Sequence, residues 1–338
     1  MTNMREWVIA AAILMVFLLP GNIAAHEEGG SISRPLANEG PIRVYVTMGL
    51  LDVDEIDGAN QSFTVNFFTE ARWMDPTLAH SGPGRRIYPL REVWSPQLLF
   101  VNQQKIWPTF PAVAQVAPNG EVLLRQRVWG PFSQPLDVQD FPFDTQEFEI
   151  RVACADAATN EVLFLPDPKT SSGLAEQFSL PDWEIIDWEL RFDAYRPRGS
   201  SRGVASCAFA FHAARYSSHY VWKVILPLIL IVAMSWIVFW IDPRESGTQI
   251  GVATTSMLTL IAYRFMVGTA MPTVPYLTRM DYFILGSTLL VFAALMQAVI
   301  TSIMANRDRL RLARWFDRCS RLVFPGIFAA IVHLSLFA

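Results

Sequence analysis

Residues 221–241 read VWKVILPLILIVAMSWIVFWI, an apolar run broken by a single lysine and long enough to cross the hydrocarbon core of a bilayer, which takes about 20 helical residues. Three later stretches, at about 248–268, 281–305 and 320–338, share its length and texture. Lipid offers no partner to a backbone N–H or C=O, so each stretch must satisfy its own backbone as a helix. Residues 218–338 are therefore expected to form a transmembrane domain of four helices.

Upstream of residue 218 the texture changes. Ile42-Arg43-Val44-Tyr45-Val46, Phe63-Thr64-Val65-Asn66-Phe67 and Phe148-Glu149-Ile150-Arg151-Val152 alternate apolar and polar residues, the period of a strand buried on one face. Turn signals such as Gly82-Pro83-Gly84 and Pro118-Asn119-Gly120 separate such runs, so residues 26–217 are expected to fold as an antiparallel, immunoglobulin-like β-sandwich. Before it, Arg5, the apolar run Trp7 to Pro20 and the small Ala24 and Ala25 give residues 1–25 the pattern of a cleaved secretory signal peptide.

Orientation follows from charge. Arg307, Arg309, Arg311, Arg314, Arg318 and Arg321 cluster between the third and fourth spans against only Asp308 and Asp317, which places that connection in the cytoplasm. With four spans, the sandwich and the C-terminus then both lie on the extracellular or periplasmic side of a multi-pass plasma (inner) membrane protein. The composition agrees: 52% of 338 residues are hydrophobic and 17% charged, too apolar for a soluble protein, and a net charge of -4 offers no basic surface to a nucleic acid. Cys154, Cys207 and Cys319 are too scattered for a metal cluster, and sequence leaves open whether Cys154 and Cys207 meet. The absence of a Ser-His-Asp, metal-ligand or phosphate-loop constellation argues against an enzyme, a metal and a cofactor.

The second span is the least apolar. Gly251, Thr255, Leu258, Ala262, Phe265 and Thr269 are spaced four, three, four, three and four, which puts all six on one helical stripe. Such a stripe either packs against other helices or, in a ring, encloses water. In a ring, Thr255 would offer hydroxyls to passing ions, while Leu258 and Phe265 would form constrictions that gate by dewetting. Glu245, just before the helix, would form an anionic ring at the cytoplasmic mouth and favour monovalent cations. Arg264, within the outer half of the same helix, is expected to face a subunit interface or water, either as a salt-bridged structural arginine or as a charge that weakens cation preference.

Asp137-Val138-Gln139-Asp140-Phe141-Pro142-Phe143-Asp144-Thr145-Gln146 resembles the signature loop of the Cys-loop receptor superfamily, pentameric ligand-gated ion channels. Gln134 and Phe148 stand where that family's animal members place two cysteines, a departure similar to the prokaryotic members. Trp73-Met74-Asp75-Pro76, Trp94-Ser95-Pro96, Arg215, Pro227, Pro272-Thr273-Val274-Pro275-Tyr276 and Phe324-Pro325 follow the family's order.

The resemblance implies a homopentamer opened by a small-molecule agonist between subunits, here cation-selective, with the pore stripe above and membrane lipids as surroundings. It implies coupling through Glu55 and Ile56 of a first loop, Phe141, Pro142, Phe143 and Asp144 of the signature loop, and the linker residues Pro272, Pro275 and Tyr276. Arg215 is expected to pair with both Asp144 and Glu55. For the ligand, the positions singled out are Phe67, Asn102, Asp156, Phe192, Arg196 and Arg198; the basic hairpin among them would suit an anionic group. His212 and His219 leave proton gating open. Two further readings stand beside this one, an anion-selective channel of the same family and a non-conducting, membrane-anchored periplasmic binding module.

Overall fold

A computed structural model describes residues 34–35, 40–199, 202–268 and 274–337. The expected signal peptide, Thr269 and Pro272 lie outside the described residues.

Among the described residues, twelve strands build the N-terminal domain: β1 (Ile42–Asp57), β2 (Ser62–Met74), β3 (Arg86–Pro89), β4 (Leu98–Phe100), β5 (Trp107–Pro108), β6 (Val113–Val116), β7 (Glu121–Ser133), β8 (Thr145–Ala158), β9 (Val162–Pro166), β10 (Gly173–Leu174), β11 (Trp183–Tyr195) and β12 (Val204–Arg215). One sheet runs β10-β1-β2-β7-β6-β3, with β9 on β1 and β5 on β7; the other runs β11-β12-β8-β4. The pairing is antiparallel except where β1 meets β9 and β10 in parallel. Alternation decides which face is buried. Phe63 and Phe67 of β2, Phe148 of β8 and Phe209 and Phe211 of β12 all point inward, where Phe63 stacks edge-on to Phe148 at 5.1 Å and Phe67 to Phe209 at 5.4 Å.

Four helices follow among the described residues: α1 (Ser218–Trp240), α2 (Ser246–Gly268), α3 (Arg279–Asn306) and α4 (Leu310–Leu336), each long and apolar enough to span a membrane. Within α1, residues Val221–Ile225 form a π-turn just ahead of Pro227, whose ring supplies no N–H to the regular ladder. The capping box of Thr278 and Asp281 starts α3. α3 and α4 pack together at Gly286, where an added Cβ would stand 2.9 Å from Ile331 Cγ2.

The start of the fourth helix differs from expectation. The fourth helix begins at Leu310, ten residues before the expected 320, because Ala313, Asp317, Ser320 and Phe324 recur at helical spacing and bury one face against the bundle. Arg311, Arg314, Arg318 and Arg321 therefore stand on a helix rather than in a connecting loop. Cys154 and Cys207 are both free; Cys207 meets Met48 instead, with the sulfurs 3.5 Å apart.

Candidate pore and coupling junction

On α2, Gln249, Ala253, Ser256, Leu260, Tyr263 and Val267 are buried. They anchor the helix to its own bundle: the Gln249 amide donates to the Val238 and Ile241 carbonyls at 3.3 and 3.1 Å, and the Tyr263 hydroxyl donates to the Val224 carbonyl. At about 100° per residue, Gly251, Thr255, Leu258, Ala262 and Phe265 occupy the opposite side. All five are exposed in the single subunit, Leu258 at 67% and Phe265 at 76%. Thr255 turns its hydroxyl back to the Gly251 carbonyl at 2.8 Å. Glu245 is exposed at the foot of the helix, where its carbonyl accepts from the Gln249 N–H at 3.0 Å.

Arg264 is exposed, and among the described residues it has no acidic partner. Instead it borders an apolar cleft of about 600 Å³ with Met257, Ile261, Phe265 and Thr288.

At the base of the sandwich, the signature loop sits on the helices. Arg215 closes β12 with its side chain buried; its Nε and Nη2 donate to the Asp144 carboxylate at 2.7 and 3.1 Å, and its N–H donates to the Asp144 carbonyl at 3.1 Å. The guanidinium lies 4.0 Å from the Trp183 ring centroid and 4.9 Å from that of Phe141. Phe141 and Pro142 are buried, joined by a cis peptide bond, while Phe143 is exposed. Phe141 also packs edge-on against Tyr220 at the start of α1, with centroids 4.8 Å apart.

The same loop touches the entrance of α3. The Tyr276 hydroxyl accepts from the Val138 N–H at 3.1 Å; the Arg279 N–H donates to the Gln139 carbonyl at 2.9 Å and its Nε to Asp140 at 2.7 Å. Pro275 beside them is exposed. The β1–β2 turn is tied in through Gln61, whose side-chain oxygen accepts from the Leu136 N–H. Ile56 packs partly against the core. Glu55 does not reach Arg215: the register shift between Val53 and Glu55 turns its side chain outward, and among the described residues it forms no ion pair.

Sequence reasoning missed three parts of this junction. Arg279 was hidden because its importance comes from the capping box that fixes it at the first helical position. Trp183 was hidden because its partner lies 32 residues away, as the register Trp183 to Arg215 shows. Gln134 was read only as a missing cysteine; its amide donates to the Glu147 carbonyl and accepts from the Glu149 N–H at 2.8 Å, closing the loop around Phe148 with hydrogen bonds.

The expected ligand positions do not converge. Phe67 is fully buried in the sandwich core, because its place in the alternation turns it inward. Asn102 is a structural brace, its amide donating to the Glu149 carbonyl at 2.6 Å and accepting from the Arg151 N–H at 3.3 Å. Phe192 packs partly against the core, while Asp156, Arg196 and Arg198 are exposed. None of the six lines the cleft of about 260 Å³ formed by Leu98, Phe100, Ile106, Phe110, Leu124 and Arg127. His212 lies 2.6 Å from Asp187 and 3.8 Å from Glu147, and His219 packs on Tyr220.

Comparison with known proteins agrees with this architecture. Residues 30–215 match the neurotransmitter-gated ion-channel ligand binding domain and residues 224–327 the neurotransmitter-gated ion-channel transmembrane region. A proton-gated ion channel of Gloeobacter violaceus is 26% identical over 309 residues, covering 90% of this chain and 85% of that protein. The glycine receptor subunit beta of Rattus norvegicus and of Homo sapiens are each 25% identical over 283 residues, covering 80% of this chain and 56% of theirs. The chain belongs to the neurotransmitter-gated ion-channel family, the pentameric ligand-gated channels. It is a multi-pass membrane protein with an extracellular N-terminal domain, and its family is one of channels rather than enzymes.

Proposed function

We propose that the chain is the subunit of a homopentameric, cation-selective channel, opened by a small molecule bound between neighbouring extracellular domains. The observation that carries this reading is the division of α2 into two opposed stripes. One is polar enough to anchor the helix to its own bundle, and the other is left uncovered and graded from Gly251 and Thr255 at the cytoplasmic end to Leu258 and Phe265 beyond. A helix that merely packed would not leave Leu258 and Phe265 as its most exposed large residues on the face turned away from its neighbours. Around an axis, Leu258 and Phe265 become apolar rings and Glu245 an anionic ring at the mouth. Monovalent cations are the favoured permeants because Glu245 is an exposed carboxylate at the foot of α2.

For the agonist, the exposed Asp156, Arg196 and Arg198 remain the proposed positions, since Phe67 and Asn102 are taken up by the core and by bracing hydrogen bonds. Binding there would be relayed through Asp144, Arg215 and the signature loop to Tyr276 and α3.

Cysteine accessibility tests the pore. Thr255→Cys and Ala262→Cys should react with a water-soluble methanethiosulfonate reagent and lose current, whereas Ala253→Cys and Ser256→Cys should not. Equal labelling of both sets would remove the argument for an α2-lined pore.

A further inference from the structure

The pore helix is hydrogen-bonded to α1 at two heights. At its foot, the Gln249 amide holds the Val238 and Ile241 carbonyls at 3.3 and 3.1 Å. Fourteen residues further along, about 21 Å up the helix, the Tyr263 hydroxyl donates to the Val224 carbonyl. Both side chains are buried on the stripe of α2 that faces its own bundle. The buried hydroxyls between these heights are spent within their own helices: Ser256 donates to the Val252 carbonyl of α2 and Ser235 to the Val232 carbonyl of α1. Leu258 lies between the two ties, nine residues above Gln249. For a straight helix pivoting at Gln249, Leu258 moves about two thirds as far as Tyr263 does.

The upper tie is fastened to an unusual piece of backbone. Val224 belongs to the π-turn Val221–Ile225, where the Leu226 N–H reaches back to the Val221 carbonyl. A π-turn holds an extra residue within the α winding, so rewinding it to α shifts one side against the other by about 1.5 Å along the axis and about 100° around it. Single π-turns of this kind concentrate at functional sites. Tyr220, immediately ahead of the turn, carries the Phe141 ring of the signature loop at 4.8 Å. The turn that Tyr263 grips therefore begins where the signature loop rests. A phenylalanine would fill the same space at position 263, but only the hydroxyl can hold the carbonyl.

We propose that Tyr263 is a positioning residue for gating, whose hydroxyl clasps the π-turn of α1 so that the winding of that turn sets the place of the Leu258 and Phe265 rings. This rests on the reading of α2 as the pore lining.

Single-channel recording of the full-length protein carrying Leu258→Ser, which should open without agonist, tests the clasp. Adding Tyr263→Phe should change the ratio of open to closed time by about threefold to tenfold, the scale of one hydrogen bond made in one state and not in the other. Para-aminophenylalanine at position 263, introduced by nonsense suppression, keeps a donor and should restore the ratio. Tyr282→Phe, a hydroxyl lost from the exposed face of α3, should change nothing. Tyr220→Leu should shrink the effect of Tyr263→Phe, because both act through the same turn. An unchanged ratio in Tyr263→Phe would overturn the proposal, as would failure of the amino analogue to restore it or strict additivity with Tyr220→Leu. Should Tyr263→Phe not reach the surface, O-methyltyrosine, which keeps the ring and oxygen but cannot donate, takes its place with the same expectations. A surface-expressed Leu258→Ser protein that passes no current would defeat the pore reading and the clasp together, whereas a conducting one indifferent to the hydroxyl would defeat the clasp alone.

Discussion

Replacing Arg215 with methionine would leave the buried Asp144 carboxylate with the Gln146 amide, 2.9 Å away, in place of a guanidinium that reaches it at 2.7 and 3.1 Å. The side chains of Arg215 and Asp144 are only 9% and 2% exposed, so water does not step in for the lost partner. Breaking a pair buried this deeply costs about 3–5 kcal/mol, mostly the penalty of the charge left behind. Asp144→Leu alone strands the guanidinium instead, softened by its stacking on Trp183 at 4.0 Å. With both residues changed no charge is buried unpaired, and the loss should fall short of the sum of the singles by about 2–3 kcal/mol. Denaturant unfolding of the purified protein, followed by tryptophan fluorescence, reads all four corners of the cycle. Single-substitution losses that add to within about 0.5 kcal/mol would refute the pairing as the organising contact of the junction.

Other expectations are simpler. Phe67→Ala should cost about 3–5 kcal/mol of stability, read as a lowered unfolding midpoint, because it empties space between Phe100 and Phe209; an intact midpoint with altered agonist response would return Phe67 to the ligand site. Gly286→Leu should drive α4 from α3 at Ile331 and cost about 1–3 kcal/mol, seen as reduced assembly on size-exclusion chromatography. At Asp193, burial alone would raise the carboxyl pKa, but hydrogen bonds from Arg151 and Ser206 outweigh it and hold the pKa below its usual 3.8. A lowered folded-state pKa means the stabilisation is complete above the unfolded value and is lost as pH falls through the folded one. Asp193→Asn should therefore flatten the acid limb of the unfolding profile below about pH 4 and lower stability at neutral pH.

How far the sequence could be read depended on the range of the forces involved. Strand alternation and span length are local, so Phe63, Phe148 and the four helices were legible, and the α2 stripe was legible from spacing alone. Contacts between distant elements were legible only where a signature loop supplied them, as for Arg215 with Asp144. Arg279 with Asp140 comes from docking two domains, and Trp183 beside Arg215 from the register of β11 on β12; no local period encodes either. The start of α4 was missed because arginines crowd its first turns and mask the buried row of Ala313, Asp317 and Ser320. Phe67 was misplaced because an aromatic side chain near an expected pocket has the same sequence signal whether it faces in or out; only its phase with Phe63 and Val65 decides.

The most direct test of the central claim is the current carried by Leu258→Ser under voltage clamp in a sodium chloride gradient, without added agonist. A ring of serines in place of the exposed leucines should wet the constriction and leak, with reversal near the cation potential. Reversal near the chloride potential would contradict the selectivity assigned to Glu245, and a surface-expressed protein that passes no current would contradict an α2 pore gated at Leu258.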